Sequence, residues 1–216
     1  MDIYHIVYKR TMQHEGGYAN DPDDYGLETY RGISRRFHPN NPIWEYIDNY
    51  KKEHGEIPHN TYFPELEDQI EEFYKKTYWD KLGIDKILKM ANSEQSIVWL
   101  ARHLFDYGVN AGTARAATDL QRALNVLNNN GTLWKDISVD GGIGPVTLKT
   151  LKKVMKYSQR MKLLESSLLI LRGYHYIKIM ESRTSQEKYA YTWLNRLNIF
   201  TGHCVSTKPV AQAPSK

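Results

Sequence analysis

The chain has 216 residues, 41% hydrophobic and 25% charged, which is enough apolar material for a substantial core and excludes a largely disordered protein. The net charge of +4 is too small and too scattered for a nucleic-acid binder, though it suits a polyanionic surface such as a bacterial envelope. The single cysteine, Cys204, excludes an intramolecular disulfide, and the apolar stretch Leu163 to Leu171 is too short to span a bilayer.

Taken in chain order, Ile3, Ile6, Val7 and Arg10 share a helical face and predict a short helix from about Ile3 to His14, closed by Gly16 as a left-handed cap. From Tyr18 to Ser34 the chain is rich in Asn, Asp, Pro and Gly, which predicts turns and a small hairpin. Ile43 to His54 reads as an amphipathic helix. Pro64 opens another, with Glu65, Glu67 and Asp68 in its first turn, running to about Tyr78.

Further helices are predicted from Ser93 to about Tyr107 and from Thr113 to Asn128. Asp140-Gly141-Gly142-Ile143-Gly144-Pro145 reads as a tight loop opening a helix at Pro145. A long helix from about Ser158 to Ser182 and a last one over Gln186 to Asn198 complete a mainly α chain. Residues 205–216, rich in Pro, Ser, Ala and Lys, are expected to be a disordered tail.

Glu15 is the residue with the strongest chemical signal. It falls at the C-terminal end of the first predicted helix, where the dipole disfavours negative charge by roughly 0.3–1 kcal/mol. A helix selected for stability alone would carry Lys or Arg there, whereas a general acid benefits from a place that favours its protonated form. Gly16 and Gly17 leave room for close approach of a polymer, Tyr18 offers a ring for stacking on a sugar, and Asp21, Asp23 and Asp24 follow in a turn-rich segment. Glycoside hydrolysis needs two carboxyls, one protonated and one ionised, so any of the three aspartates is a candidate partner. A calcium loop is excluded, because position five from Asp21 is Tyr25 and position twelve is Gly32. The eight histidines lack the spacing of a helical zinc motif, no glycine-rich phosphate loop is present, and neither metal nor organic cofactor is implied.

The run Glu15-Gly16-Gly17-Tyr18-Ala19-Asn20-Asp21-Pro22-Asp23-Asp24, followed by Gly26, Thr29, Gly32 and Ile33, resembles the opening signature of glycoside hydrolase family 108, a family of bacterial and phage N-acetylmuramidases. The stretch is also similar to the phage-lysozyme spacing of Glu, Asp and Thr. Glu15 and Asp24 keep the first interval, and Thr29 comes one residue early. Leu27 stands where the family commonly has Gly. Tyr78-Trp79-Asp80, Leu104 to Gly112, Leu120 to Asn125, Asp140 to Thr147 and Trp193 to Arg196 extend the resemblance through the peptidoglycan-binding region usually fused to this family.

The resemblance implies a lysozyme-like, mainly α fold, with a small hairpin segment after the first helix and a helical second lobe. It implies a catalytic lobe over residues 1–90 and a peptidoglycan-binding lobe over 91–204 that completes the cleft. It assigns Glu15 as the acid, with Asp24 and Thr29 assisting, and Tyr18, Asn20, Tyr107 and Asn110 as groove residues. The expected partner is peptidoglycan glycan, cleaved by a monomer, with no nucleic acid and no membrane insertion. No secretory signal is legible between Met1 and Arg10, so synthesis in the cytoplasm and action on the wall after release or non-classical export are expected. The alternative is a non-catalytic wall-binding or secretion-accessory protein on the same scaffold.

Overall fold

The computed structural model describes residues 2–13, 15–20, 27–90 and 95–201, the side chains of 199–201 excepted. The chain divides into two compact units. The first comprises Met1–Asn92 with Leu104–Thr113, and the second Ser93–His103 with Ala114–Lys216.

In the first unit, α1 (Ile3–Met12) is capped by Asp2, whose carboxylate accepts from the Tyr4 N–H at 3.1 Å. The helix stops at Met12, its C-cap Gln13 is right-handed, and Gly16 takes no left-handed conformation, so the cap expected at Gly16 is not formed. The buried face also differs from the expected one. Tyr4, Val7, Tyr8 and Thr11 point inward and Arg10 is exposed. Tyrosine can fill a core when its hydroxyl is satisfied. Tyr4 donates to Glu71 O at 2.5 Å and Tyr8 to Glu67 Oε1 at 2.9 Å.

A three-stranded antiparallel sheet follows, formed by β1 (Tyr18–Asn20), β2 (Glu28–Tyr30) and β3 (Ile33–Ser34) in that order. Tyr18 pairs with Tyr30, Asn20 with Glu28, and Tyr30 with Ile33, while Ala19, Thr29 and Ser34 lie in one row. Helix α2 (Ile43–His54) has the predicted bounds and buries Ile43, Trp44 and Ile47.

The helix predicted from Pro64 to Tyr78 is three pieces: a 3-10 turn at Pro64–Leu66, α3 (Glu67–Tyr74), and a π-helical stretch at Lys75–Asp80. The wide turn leads into a short α4 (Ile84–Leu88) that the pattern did not announce. Trp79, fully buried, meets Tyr4 edge-on at 5.0 Å and Phe105 at 5.7 Å, and donates its indole N–H to Asp85 at 2.7 Å. These aromatic contacts form the centre of the first unit.

Helix α5 (Gln95–Ala111) runs through both units. In the second, α6 (Thr113–Val126), α7 (Pro145–Val154), α8 (Ser158–Ser182) and α9 (Ala190–Thr201) supply the core, with Leu120, Leu124, Leu151, Leu164 and Leu168 fully buried. The start of the last predicted helix is instead a 3-10 segment, Thr184–Tyr189. The residues expected to form the tail, 205–216, lie outside the described ones. The mainly α architecture agrees with expectation, and no described helix is long and apolar enough to cross a membrane.

Candidate active site

The site is organised by the two-residue turn between β2 and β3. Tyr30 pairs with Ile33, which leaves Arg31 and Gly32 as the loop. Both have positive φ, 48° and 75°. This is the backbone of a type I′ hairpin turn, whose twist suits a tight antiparallel pair and whose favoured residues are Asn-Gly or Asp-Gly. Gly32 meets that demand without strain. Arg31 does so at a cost of about 1 kcal/mol, because its Cβ crowds the backbone.

Gly32 is required for a second reason. A Cβ there would come 2.5 Å from the Tyr74 Oη and 2.9 Å from the Glu15 Oε2. The carboxylate of Glu15 and the phenol of Tyr74 therefore converge on the bare side of this turn. Glu15 is half-buried, and its N–H donates to Met12 O at 3.2 Å. Tyr74, at the end of α3, donates its hydroxyl proton to Arg31 O at 2.8 Å. Burial raises the Tyr74 phenol well above its ordinary pKa, and the Glu15 charge adds to the shift. Tyr78, in the π-helical stretch, is raised by the same two causes in the same order. Both phenols stay protonated at any working pH, so the hydroxyl that converges with Glu15 on Gly32, that of Tyr74, is neutral.

Arg31 holds residue 15 from the other end. Its Nη1 donates to Met12 O at 3.5 Å and to Glu15 O at 3.3 Å, long bonds to carbonyls at and just beyond the C-terminal end of α1. Its Nη2 lies 3.8 Å from Glu67, which also accepts from Tyr8 and, at 3.1 Å, from Tyr62.

Of the two glycines after Glu15, Gly17 serves the fold. A Cβ on Gly17 would fall 2.5 Å from Asn60 O and 2.6 Å from Thr61 O, so the room read as space for a polymer is filled by the chain's own backbone. Asn60 secures this approach by accepting from the Gly17 N–H at 2.9 Å.

The other expected site residues are spread out. Tyr18 is 3% exposed, and its hydroxyl donates to Glu28 at 2.8 Å. Glu28 is in turn paired with Arg35, at 2.7 Å, and with Lys51. Tyr18 and Asn20 line a cavity of about 500 Å³ with Lys51, Gly55, Glu56 and Ile57. Successive strand residues face opposite sides of a sheet, and the register sets Tyr18, Asn20, Glu28 and Tyr30 against Ala19, Thr29 and Ser34. Thr29 thus points away from the side of Tyr18 and Asn20, and its hydroxyl donates to Leu27 O at 3.3 Å. Tyr107 is 0% exposed, which leaves it no surface for a sugar and corrects its expected place in a groove. Asn110 is half-buried on α5. Asp21, Asp23 and Asp24 lie outside the described residues. No group of three or more metal-ligating side chains occurs among the described residues.

Residues 8–112, which contain Glu15, the Arg31–Gly32 turn, Tyr74 and Tyr78, match the family model described as glycosyl hydrolase 108. The chain belongs to glycoside hydrolase family 108. Residues 115–198 of this family 108 protein match a model described as a predicted peptidoglycan domain. Among solved structures, Brucella abortus SagA shares the fold with a TM-score of 0.58 at 18% identity, over 96% of this chain and 97% of that one. No curated protein matches. The fold is lysozyme-like, and family membership makes the protein a glycoside hydrolase of the peptidoglycan-cleaving kind.

Arg31, Tyr74 and Tyr78 were not among the residues expected at the site of this hydrolase. Arg31-Gly32, set between the β-formers Thr29-Tyr30 and Ile33-Ser34, carries half of a type I′ signature. Nothing local links Glu15 to Tyr74.

Proposed function

We propose that this family 108 protein is an N-acetylmuramidase that hydrolyses the β-1,4 bond between N-acetylmuramic acid and N-acetylglucosamine. The observation that carries the reading is the place of Glu15, whose carboxylate lies against the bare face of Gly32 together with the neutral phenol of Tyr74. Glu15 protonates the leaving glycosidic oxygen. Asp24, nine residues on, stabilises the oxocarbenium-like transition state or orients water, and Thr29 helps to hold that water. Asn20 and Asn110 remain candidates for hydrogen bonds to N-acetyl or lactyl groups, and Tyr18 contributes its edge to the cavity beside Asn20. The C-terminal region binds the wall. The protein acts on the bacterial wall as a monomer.

The test is digestion of purified sacculi by the wild type and Glu15→Gln, with the new reducing ends identified by mass spectrometry. A general acid contributes ~10²–10⁴-fold, so the variant should lose at least about 10²-fold in rate. Products ending in reducing N-acetylmuramic acid are expected. Ends of N-acetylglucosamine, or an unaffected Glu15→Gln, refute the proposal. Binding to sacculi without any release of reducing ends favours the second reading, a wall-binding accessory, for which the match over 115–198 speaks.

A further inference from the structure

We infer that Arg31 is a positioning residue for Glu15, held in an unfavourable turn position because one turn must grip both ends of residue 15. The inference rests on reading Glu15 as the acid. Three observations carry it. First, Arg31 occupies a left-handed position at φ 48° where Asn would be the preferred residue, so the turn alone does not explain an arginine. Second, its Nε is buried and finds no acceptor among the described residues, a further local cost that stability does not account for. Third, what the residue does contribute converges on Glu15. Its Nη1 reaches the Glu15 carbonyl at 3.3 Å, and its own carbonyl takes the Tyr74 hydroxyl proton at 2.8 Å.

That last bond has a chemical consequence. The hydroxyl proton of Tyr74 is committed to Arg31 O, and the Tyr74 oxygen and the Glu15 carboxylate both lie against the bare face of Gly32. Tyr74 thus offers no donor that would favour the ionised carboxylate over the protonated carboxyl that a general acid requires. The backbone of residue 15 is thus anchored by the Arg31 guanidinium, and its carboxyl lies between the bare face of Gly32 and an oriented phenol. Glu67 steadies the guanidinium at 3.8 Å, and the Tyr62 ring lies 5.6 Å from it.

An ordinary structural role, a cation at the C-terminus of α1, makes the opposite prediction. Under that role stability and activity fall together, and Lys restores both. The discriminating variant is Arg31→Asn, which suits the turn better and removes the guanidinium. We expect its melting midpoint to equal or exceed the wild-type value, its kcat on soluble glycan oligomers to fall about 10-fold or more, and its KM to stay within roughly 2-fold. Tyr74→Phe keeps the buried ring, loses the bond to Arg31 O, and should show the same kcat-limited loss. Arg31→Lys should keep the wild-type midpoint but not kcat.

Wild-type kcat in Arg31→Asn or in Tyr74→Phe, or a loss that tracks unfolding in both, overturns the inference. Failure of the underlying reading looks different. In that case Glu15→Gln keeps its activity, whereas an inactive Glu15→Gln beside a fully active Arg31→Asn removes only the role of Arg31.

Discussion

Two glycine turns in this molecule each lie against a carboxylate, and they are satisfied to very different degrees. In the second unit, the loop Asp140 to Gly144 is closed by one side chain. The buried amide of Gln121 accepts from the Gly141 N–H at 2.9 Å and donates to Asp140 Oδ1 at 2.7 Å and Gly142 O at 2.8 Å. Asp140 also takes the Gly142 N–H at 2.9 Å. The left-handed position, φ 76°, is filled by a glycine, as it should be. In the first unit, Arg31–Gly32 places an arginine in the left-handed region, leaves a buried donor without an acceptor among the described residues, and faces a half-buried carboxylate. A turn whose polar groups are all used is a staple. A turn that keeps strain and spare hydrogen-bonding capacity next to a titratable group has the marks of a site.

Three changes probe this contrast. The largest effect belongs to Gly32→Ala. The new Cβ meets both Tyr74 Oη and Glu15 Oε2 at under 3 Å in a backbone that L-residues avoid. Wall-cleaving kcat should fall of the order of 10²-fold, since displacement of a reacting group by about 1 Å costs that much. A normal rate in sacculus digestion would end the claim that this turn sets the acid.

Next is Gln121→Ala, which strands the Gly141 N–H, the Gly142 carbonyl and Asp140. A loss of about 2–3 kcal/mol is expected in urea denaturation, with kcat of the folded protein unchanged. If kcat falls while stability holds, the staple reading is wrong.

The smallest effect is a pH dependence. The Gln121 side chain, followed by the Gly142 N–H, holds the Asp140 carboxyl below its ordinary pKa. The folded value therefore lies under the unfolded one, about 3.9. The contribution is present in full above that pH and is lost as pH falls through the lowered value. Melts of the wild type and Asp140→Asn between pH 6 and about pH 3 should converge at the acid end. Parallel curves would show that Asp140 does not contribute in this way.

How much of this was legible depended on range. The bounds of α2 and α8 could be read because apolar spacing and flanking residues are local signals. The inward face of α1 was misread, since Ile3 and Ile6 seemed the natural core and the buried residues include Tyr4 and Tyr8, whose hydroxyls find partners at Glu71 and Glu67. Glu15 stood out by its motif. Its surroundings did not, because Tyr74 is far along the chain and meets it only through the tertiary fold. Leu27, which departs from the signature that the sequence resembles, adopts a left-handed backbone, φ 54°, of the kind a glycine would serve.

The π-helical stretch Lys75–Asp80 bears on how this protein can change. A regular α-helix advances each residue by about 100°, and a widened turn resets that phase by one residue. Tyr74, whose hydroxyl converges with Glu15 on Gly32, and Tyr78, its ring 5.3 Å from that of Tyr74, sit at the entrance and middle of the reset, and Trp79 of the aromatic core follows at once. Deleting a single residue here would tighten the turn and swing Trp79 and α4 around the helix axis, so reading-frame-preserving indels should be damaging throughout this stretch.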